Sequence, residues 1–228
     1  MNYKFAPAER PSVAIAGSEQ RFAVHRIYCV GRNYAAHARE MGFDPDREPP
    51  FFFSKPADAV VADSTDIPYP LSTDDLHHEV ELVVAIGQGG TRISRSDAAR
   101  CIFGYAVGND LTRRDLQHAA REEGRPWDTS KGFDRSAPVG AIHPAGDAHP
   151  PTEGSIWLQV NKQERQRGDL AEMIWSIPEV IEQISTFFEL QPGDLIFTGS
   201  PAGVASLQPG DTMVAGIDGL GTLTNRIV

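Results

Sequence analysis

Two glutamates, Glu79 and Glu81, lie one residue apart in an otherwise hydrophobic stretch that runs from His78 to Gly87. In a β-strand successive side chains point to opposite faces, so both carboxylates share one face. Buried carboxylates are rare unless they are paired, protonated or bound to a metal. The pair therefore indicates hard oxygen ligands for Mg²⁺ or Mn²⁺. The alternative is an edge strand whose glutamates face water.

A third carboxylate, Asp110, lies at the end of a predicted strand that begins at Phe103. With the two glutamates it would supply three oxygen ligands and leave the other octahedral positions to water or substrate. Three carboxylates and one divalent ion carry one net negative charge, so a neighbouring lysine or arginine could help to hold an anionic substrate. The alternative for Asp110 alone is a cap at the start of the helix that follows.

His37 and Glu40 are three residues apart in a predicted short helix, Tyr34 to Met41, which Gly42 would end. At this spacing the two side chains share a helix face. A glutamate can fix the tautomer of an imidazole, and the imidazole can then take a proton from water. The pair is a candidate general base with its orienting partner. The alternative is an ordinary solvated helix face.

Four further polar residues stand near these candidates. Lys55 and Lys131 each lie beside a proline or glycine turn, and either one alone would be read as a surface lysine. Arg114 and Gln117 are three apart and share a face of the helix after Asp110. The loop Trp127 to Arg135 is expected to carry Lys131.

Other catalytic classes find no support in the motifs. The glycine-rich run Gly87 to Gly90 is not followed by a helix start with a lysine, which disfavours a phosphate loop. No G-x-S-x-G elbow occurs, so a serine hydrolase is not indicated. Neighbouring His77 and His78 would point to opposite faces of a strand, and an oxygen-based metal site requires neither.

Composition narrows the class of protein. The 228 residues suit one domain or one domain with a small appendage, and the formal charge of −10 disfavours nucleic acid as a partner. Cys29 and Cys101 both lie in apolar runs and are expected to be buried free thiols in a reducing compartment. No apolar run is long enough for a membrane span, and the N-terminus lacks a signal-peptide core. We expect a soluble, cytoplasmic protein that does not bind membranes.

The predicted elements are mostly short strands joined by glycine and proline turns. Residues 1–24 hold two apolar alternations on either side of Gly17-Ser18, which suggests a small β-hairpin extension before the main domain, residues 25–228. Asn161-Lys162 indicates a hairpin turn. The chain is therefore predicted to be an α+β, strand-rich fold with a few short helices.

Two helices carry N-terminal capping-box patterns. The first pattern pairs Thr112 with Asp115, in a helix that Gly124 would end, and the second pairs Ser176 with Glu179. The helix after Ser176 is amphipathic and is expected to turn four apolar side chains inward. These are Val180, Ile181, Ile184 and Phe187.

Several of these stretches together resemble motifs of the fumarylacetoacetate hydrolase superfamily, in the order in which that superfamily has them. They are Cys29–Tyr34 with His37 and Glu40, Phe53–Pro56, His77–Leu82, Asp110–Gln117, Lys131–Asp134 and Thr198–Val204. The resemblance covers essentially residues 25–228. The run from Arg32 to Pro50 and the strand Phe51 to Phe53 are most similar to bacterial fumarylpyruvate hydrolases.

The resemblance implies a catalytic domain of the mixed β-roll or sandwich type, usually a homodimer, with Mg²⁺ or Mn²⁺ on Glu79, Glu81 and Asp110. It implies that His37 and Glu40 lie on a lid over the substrate and that Lys131 reaches the substrate or the developing oxyanion. Ser200 stands where many relatives have threonine. The residues that the resemblance assigns to substrate binding are Arg32, Lys55, Arg114, Gln117 and Thr198.

The implied activity is the metal-dependent hydrolysis of a C–C bond in a 2,4-diketo acid. The expected substrate is 3-fumarylpyruvate, cleaved to fumarate and pyruvate in gentisate-type aromatic catabolism. Other acylpyruvates remain open as substrates, as do oxaloacetate decarboxylation and oxaloacetate tautomerisation, because the same site residues could serve each reaction. Isomerisation or decarboxylation in homoprotocatechuate breakdown is a further alternative. A metal-stabilised binding protein without catalysis is the alternative from another class.

Overall fold

The computed structural model describes residues 2–40, 48–146 and 150–228, and for Ala38 the backbone only. The predicted helix stop at Gly42 lies outside the described residues. Within them the α+β, strand-rich class is confirmed. The β-strands are β1 (Ser12–Ala14), β2 (Arg21–Ala23), β3 (Ile27–Gly31), β4 (Phe51–Lys55), β5 (Val60–Val61), β6 (Asp66–Ile67), β7 (Leu76–His77), β8 (Val80–Ile86), β9 (Ile102–Asn109), β10 (Thr112–Arg113), β11 (Ala137–Pro138), β12 (His143–Pro144), β13 (Ser155–Val160), β14 (Gln163–Asp169), β15 (Leu195–Phe197), β16 (Ser206–Leu207), β17 (Thr212–Ile217) and β18 (Gly221–Ile227).

The helices are short and lie between the strands. They are α1 (Ala35–Glu40), α2 (Arg95–Cys101), α3 (Arg114–Glu122), α4 (Asp128–Lys131) and α5 (Ile177–Phe187), with 3₁₀ turns at Ala57–Ala59 and Leu170–Glu172. Among the described residues no helix is both long and apolar enough to cross a membrane.

The central sheet has six strands in the order β12-β9-β8-β15-β3-β4. Strand β8 lies inside this sheet, antiparallel to both β9 and β15, so the interpretation of Glu79 and Glu81 as part of an edge strand is wrong. The side chains of β8 alternate between two cores, as the period of a strand requires. Leu82 and Val84 belong to the larger apolar cluster with the helix α5, whereas Val83 packs into the smaller one.

A second, five-stranded sheet has the order β14-β13-β17-β18-β6. Apolar side chains of β13 and β17, such as Ile156 and Ala215, pack into the same large cluster as one face of β8. The predicted turn Asn161-Lys162 joins β13 to β14, and both residues have positive φ, 50° and 67°. A two-residue hairpin turn in which both residues have positive φ matches the right-handed twist of the strands that it joins.

The first strands, β1 and β2, pair antiparallel with Val13 opposite Phe22. Both side chains pack into the smaller apolar cluster together with Val139 and Ile142, so this hairpin covers one end of the central sheet. The two cysteines, Cys29 and Cys101, are free and buried.

The helix α5 begins as predicted, because Ser176 and Glu179 form a reciprocal capping box at its start. Its buried face includes Val180, Ile181 and Ile184. The prediction for Phe187 was wrong: it is 68% exposed. It is the last residue of the helix, and its ring lies at the sheet edge, 6.2 Å from the centroid of Phe52.

The capping box predicted at Thr112 was wrong for a topological reason. Thr112 is held in the strand β10 by pairing with His77, and its hydroxyl donates to the carbonyl of Asp110. The helix α3 therefore starts at Arg114. Asp115 instead accepts hydrogen bonds from the Thr73 hydroxyl and the Asp74 backbone N–H. The stop at Gly124 is confirmed by its φ of 64°.

The stretch from Trp127 to Arg135, predicted to be a loop, contains the short helix α4. Backbone N–H groups at its end turn back onto Trp127 and Asp128, and this winds the chain into one helical turn. The turn directs the Lys131 side chain into the protein interior, where the residue is 2% exposed. The lysine is therefore buried, against the expectation for a lone lysine beside a glycine.

Candidate active site

The three candidate carboxylates meet where β8 begins and β9 ends. Glu79 directly precedes β8, Glu81 lies within it, and Asp110 follows β9. The antiparallel ladder sets this meeting point, because Glu81 is opposite Gly108 and the Asp110 N–H donates to the Glu79 carbonyl at 2.8 Å. One oxygen from each carboxylate lies within 4.8 Å of the others, and all three residues are buried.

The electrostatics of this cluster fit a divalent cation. Burial, together with the negative charges of Asp110 and Glu79, raises the pKa of Glu81 well above its usual range. Burial would also raise the pKa of Glu79, but Lys131 and Arg114 lower it below the ordinary value. Crowded, buried carboxylate oxygens are the donor set that Mg²⁺ and Mn²⁺ prefer. The residues Glu79, Glu81 and Asp110 can thus hold a divalent metal.

Three cations surround the carboxylates. The Lys131 ammonium donates to Glu79 at 2.8 Å and to Asp110 at 2.7 Å. The Lys55 ammonium lies 2.7 Å from the other oxygen of Asp110, and Arg114 pairs with the other oxygen of Glu79. Three formal negative charges therefore face three positive ones. A bound divalent ion would leave the inner site with a positive excess that suits an anionic ligand.

Lys55 is engaged by three neighbouring groups. Its ammonium donates to the backbone carbonyls of Leu111 and Lys131 and forms an ion pair with Asp110. It is 2% exposed and is not among the described residues that line the cavity above the carboxylates. The structure therefore places Lys55 beneath the carboxylates, where it positions Asp110 and the end of α4.

Thr198 also lies outside that lining. Its hydroxyl donates to the carbonyl of Leu82 at 2.9 Å, so it ties β15 to β8. Ser200, two residues later, lines the cavity instead. The resemblance included Ser200 in the motif Thr198–Val204 but gave it no role in the site. Gly199 donates its N–H to Glu81 at 2.7 Å and brings this turn against the carboxylates.

A buried amide holds Ser200 in place. The Gln166 side chain donates to the Ser200 hydroxyl oxygen at 2.8 Å and to the carbonyl of Pro201. Its own oxygen is 2.8 Å from His78 Nδ1 and accepts the N–H of Val80. The Ser200 oxygen thus accepts from Gln166. Its own O–H makes only a long contact, 3.4 Å, with the Pro201 carbonyl, so the proton can turn toward a ligand in the cavity.

His37 and Glu40 contact each other as the spacing predicts. His37 Nδ1 is 3.0 Å from Glu40 Oε2, and the Glu40 carboxylate also accepts the N–H of Gly203. Burial would raise the pKa of Glu40, but the hydrogen bonds from His37 and Gly203 lower it below the ordinary value. The carboxylate is therefore ionised near neutral pH, and His37, which lines the cavity, has a fixed orientation.

The helix α3 supplies one wall of the cavity. Arg114 donates to Gln117 at 2.5 Å, and both side chains are buried beside Glu79. Arg32 lies on another wall, with its guanidinium 5.2 Å from the ring centroid of Phe51. Several other residues of the lining were not among the predicted site residues. They include Phe53, His118, Arg121 and Trp127.

A buried carboxylate cluster that can bind a metal, a buried lysine and an oriented His–Glu pair all border one cavity. Such a fold and site define a metal-dependent enzyme that acts on a small molecule. The chain belongs to the fumarylacetoacetate hydrolase family: the family model described as fumarylacetoacetate (FAA) hydrolase, C-terminal, matches residues 26–228.

Proteins of known structure and named relatives agree with this assignment. Fumarylpyruvate hydrolase from Pseudomonas aeruginosa, in complex with Mn²⁺ and pyruvate, is 55% identical with a TM-score of 0.97, over 100% of this chain and 99% of that one. A mitochondrial oxaloacetate tautomerase of Arabidopsis thaliana is 41% identical over 86% of this chain and 87% of its own length. Fumarylpyruvate hydrolase of a Ralstonia species is 40% identical over 79% of this chain and 94% of its own length.

Proposed function

We propose that this protein hydrolyses a C–C bond in a 2,4-diketo acid, with 3-fumarylpyruvate as the substrate and fumarate and pyruvate as the products. The observation that carries the proposal is the oriented His37–Glu40 pair, which borders the same cavity as the buried carboxylates. Hydrolysis requires a base that activates water, and this pair supplies one. Decarboxylation and tautomerisation need no water nucleophile.

Binding of the 2-oxo acid end involves both charge and hydrogen bonding. A divalent ion on Glu79, Glu81 and Asp110 would act as a Lewis acid toward this end of the substrate. Arg114 and Gln117 offer N–H donors from the wall beside Glu79, and Ser200 offers an O–H donor from the opposite turn. We assign Arg32 to substrate binding at the cavity mouth, and Lys55 to positioning Asp110.

The chemical step begins with water. His37 takes a proton from a water molecule while Glu40 holds its other nitrogen, and the resulting hydroxide attacks the C4 carbonyl carbon. The oxyanion that forms at C4 collapses to a carboxylic acid as the C3–C4 bond breaks, and the electron pair of that bond goes to pyruvate as its enolate. Lys131 stabilises the negative charge that develops. Protonation at C3 then gives pyruvate, and the other fragment is fumarate.

The relatives support this reaction and define its main alternative. Two of the three proteins named above are fumarylpyruvate hydrolases, and one of them is 55% identical over the whole chain. The Arabidopsis oxaloacetate tautomerase is the observation that favours a second candidate, proton transfer on oxaloacetate. That reaction would use the same metal and lysine but would not need water to add to carbon.

A turnover assay in isotopically labelled water separates the candidates. The protein, loaded with Mn²⁺ or Mg²⁺, is incubated in H₂¹⁸O with fumarylpyruvate, maleylpyruvate, acetylpyruvate or oxaloacetate, and the products are identified by mass spectrometry. We expect equimolar fumarate and pyruvate from fumarylpyruvate, with ¹⁸O in the carboxylate of the fumarate. Chelator-treated protein is the control. Oxaloacetate turnover without cleavage of fumarylpyruvate would contradict the proposal.

We also propose that this protein acts in gentisate-type aromatic catabolism and that it is a cytoplasmic homodimer. The exposed Phe187 lies beside Phe52 of the edge strand β4, the partly exposed Phe188 lies beside Tyr28 of β3, and the two rings offer an apolar surface for a second copy. Analytical ultracentrifugation of the wild type and a Phe187→Ser variant tests the dimer, because a monomeric wild type would contradict it.

A further inference from the structure

The outer end of the cavity carries positive charge that the chemical step does not use. The helix α3 presents Arg114 and Gln117 to the carboxylate cluster, where both are buried. One turn further along the same face, His118 and Arg121 line the same cavity and are exposed to solvent. Arg32 lines the wall beside them. The cavity thus runs from the buried cluster toward two arginines at its mouth.

The backbone around Arg32 fixes the direction of its side chain. Arg32 has a φ of 59°, a left-handed conformation that is uncommon for residues other than glycine. The preceding Gly31 lies directly under the Phe51 ring, because a Cβ built at that glycine would come 2.0 Å from a ring atom. The Phe51 ring in turn lies 5.2 Å from the Arg32 guanidinium. Such a conformation persists only where its surroundings determine it, and it is frequent at ligand sites.

The two arginines are close enough to affect each other. Burial and the positive charge of Arg121 lower the pKa of Arg32, whereas Glu48 acts in the opposite direction. Two guanidinium groups at one cavity mouth repel each other, and an anion that binds between them relieves this repulsion. A guanidinium presents two parallel N–H donors to a carboxylate, so carboxylate is the anion that best matches this geometry.

The charge of the inner site explains why a second anion site is needed. Three carboxylates there face three cations, so the excess charge of a divalent ion matches one 2-oxo acid end with its carboxylate and enolate oxygens. A substrate with a further carboxylate at its other end would have no counter-charge within that cluster. Arg32 and Arg121 are placed where this second carboxylate would emerge.

We propose that Arg121, together with Arg32, binds the distal carboxylate of a dicarboxylic 2,4-diketo acid and thereby selects it over acylpyruvates that end in an alkyl group. The inference rests on the proposed function, whose reaction it restricts to dicarboxylic substrates. Arg121 acts in specificity and takes no part in bond cleavage.

The lengths agree with this assignment. An extended seven-carbon chain spans about 7 Å between its terminal carbons, at the advance per bond of an extended backbone. Along α3, Arg121 lies about 6 Å beyond Gln117, at 1.5 Å per residue. A 2-oxo acid end beside Gln117 would therefore bring the distal carboxylate within reach of the flexible Arg121 side chain. Acetylpyruvate is too short to reach it.

Substrate discrimination is the kinetic test. Arg121→Gln and Arg121→Lys are compared with wild type on fumarylpyruvate and on acetylpyruvate, which shares the diketo end but lacks the distal carboxylate. Loss of a charge-assisted hydrogen bond predicts a kcat/KM for fumarylpyruvate about 10- to 100-fold lower in Arg121→Gln, mainly through KM. Acetylpyruvate should change less than about twofold, and Arg121→Lys should recover part of the loss.

The matched control is Arg125→Gln, because Arg125 is an exposed arginine just beyond the same helix that pairs with Glu123 and does not line this cavity. We expect wild-type kinetics for both substrates in this variant. An equal loss on both substrates in Arg121→Gln would overturn the inference, because the arginine would then act through the fold of α3 or through the inner site. Unchanged kinetics on fumarylpyruvate would also overturn it.

A binding measurement tests the inference independently of turnover. 2-Oxoheptanedioate and 2-oxoheptanoate have the same chain and the same 2-oxo acid end, and neither has the 4-oxo group that hydrolysis requires. Calorimetric titration of the Mn²⁺-loaded protein should give a Kd about tenfold or more lower for the dicarboxylate, and Arg121→Gln should remove the preference. If fumarylpyruvate is not hydrolysed but the preference is present, the proposed reaction fails and the distal site stands. Equal affinity of wild type for both acids would overturn the distal site alone.

Discussion

The two ends of the active-site cavity are built from different kinds of structure. The inner end lies where β8 begins and β9 ends, and β8, which carries Glu81, is paired with β9 on one side and β15 on the other. The outer end is formed by the short helix α1, by the residue after β3, and by the exposed turns of α3. The inner side chains are buried and engaged with one another, whereas His118 and Arg121 are exposed.

This difference separates the residues that carry out the reaction from the residues that select the substrate. A cluster of opposed charges in a rigid sheet has one arrangement, because moving any member would leave a buried charge unpaired. Residues at a cavity mouth can change without that penalty, so they can alter which molecule enters while the inner cluster keeps its form. The relatives, which include a tautomerase and hydrolases, are compatible with such a division of roles.

The largest effect is expected at the inner end, from Glu81→Gln. The amide keeps the acceptor for the Gly199 N–H but removes one anionic metal ligand. Loss of several kcal/mol of metal-based stabilisation predicts a turnover at least about 1,000-fold lower. Mn²⁺ binding, measured by calorimetry, should be lost as well.

The folded state should survive this substitution, because it removes a carboxylate that Asp110 and Glu79 repel. The Tm of the metal-free variant should equal or exceed that of the wild type, and Mn²⁺ should no longer raise it. The exposed Glu19 offers a control, Glu19→Gln, that should behave as wild type. Full Mn²⁺ affinity in Glu81→Gln would show that the ion binds elsewhere.

The next effect is expected at α1, from His37→Gln. Removal of the proposed general base should lower kcat for fumarylpyruvate by about 100- to 10,000-fold, the range for such groups. Metal affinity should stay within about twofold of wild type, because the inner cluster is unchanged. Arg39→Ala, an exposed change in the same helix, is the control for α1. A full hydrolytic rate in His37→Gln would remove this residue from the mechanism.

A smaller effect, on stability, is expected from Lys131→Met. The substitution leaves Glu79 and Asp110 without the ammonium that lies between them. Breaking a buried ion pair by removing one partner costs about 3–5 kcal/mol, so urea unfolding of the metal-free protein should show a loss of that order. Mn²⁺ should recover more stability in this variant than in wild type, since it supplies positive charge to the same oxygens.

The exposed Lys4 provides the control for this change. Lys4→Met should leave the free energy of unfolding unchanged both without and with Mn²⁺. An equal loss of unfolding free energy with and without Mn²⁺ would mean that Lys131 serves α4 packing and not the charge balance of the carboxylates.

The inner end could be predicted from the sequence because it depends on alternation. The shared face of Glu79 and Glu81 follows from the period of a strand, and the position of Asp110 follows from the end of the next strand. The i,i+3 contact of His37 with Glu40 follows from helix geometry in the same way. These relations are local, and the sequence contains them.

The rest depends on long-range contacts that no local pattern carries. The burial of Lys131 depends on the α4 turn and on two carboxylates that are distant in sequence. The capping box at Thr112 failed because pairing with His77 held this residue in a strand. Arg121 in α3 lies near Arg32, which follows β3. The two residues are distant in sequence, so spacing along the chain could not reveal that they are neighbours.

The smallest predicted effects distinguish the roles of two hydroxyl groups in one turn, those of Ser200 and Thr198. Ser200 borders the cavity, whereas the Thr198 hydroxyl donates to the Leu82 carbonyl within the sheet. Ser200→Ala should therefore raise KM for fumarylpyruvate by about tenfold, the value of one lost neutral hydrogen bond, and should also lower Tm, because one buried N–H of Gln166 loses its acceptor.

Thr198→Val should affect stability without affecting KM. It should lower the free energy of unfolding by about 1 kcal/mol, because a backbone carbonyl between β8 and β15 loses one donor, and it should leave KM within about twofold. Steady-state kinetics and urea unfolding on both variants make the comparison. A KM effect in Thr198→Val without a stability effect would exchange the two roles, and Thr198 would then be the residue that contacts substrate.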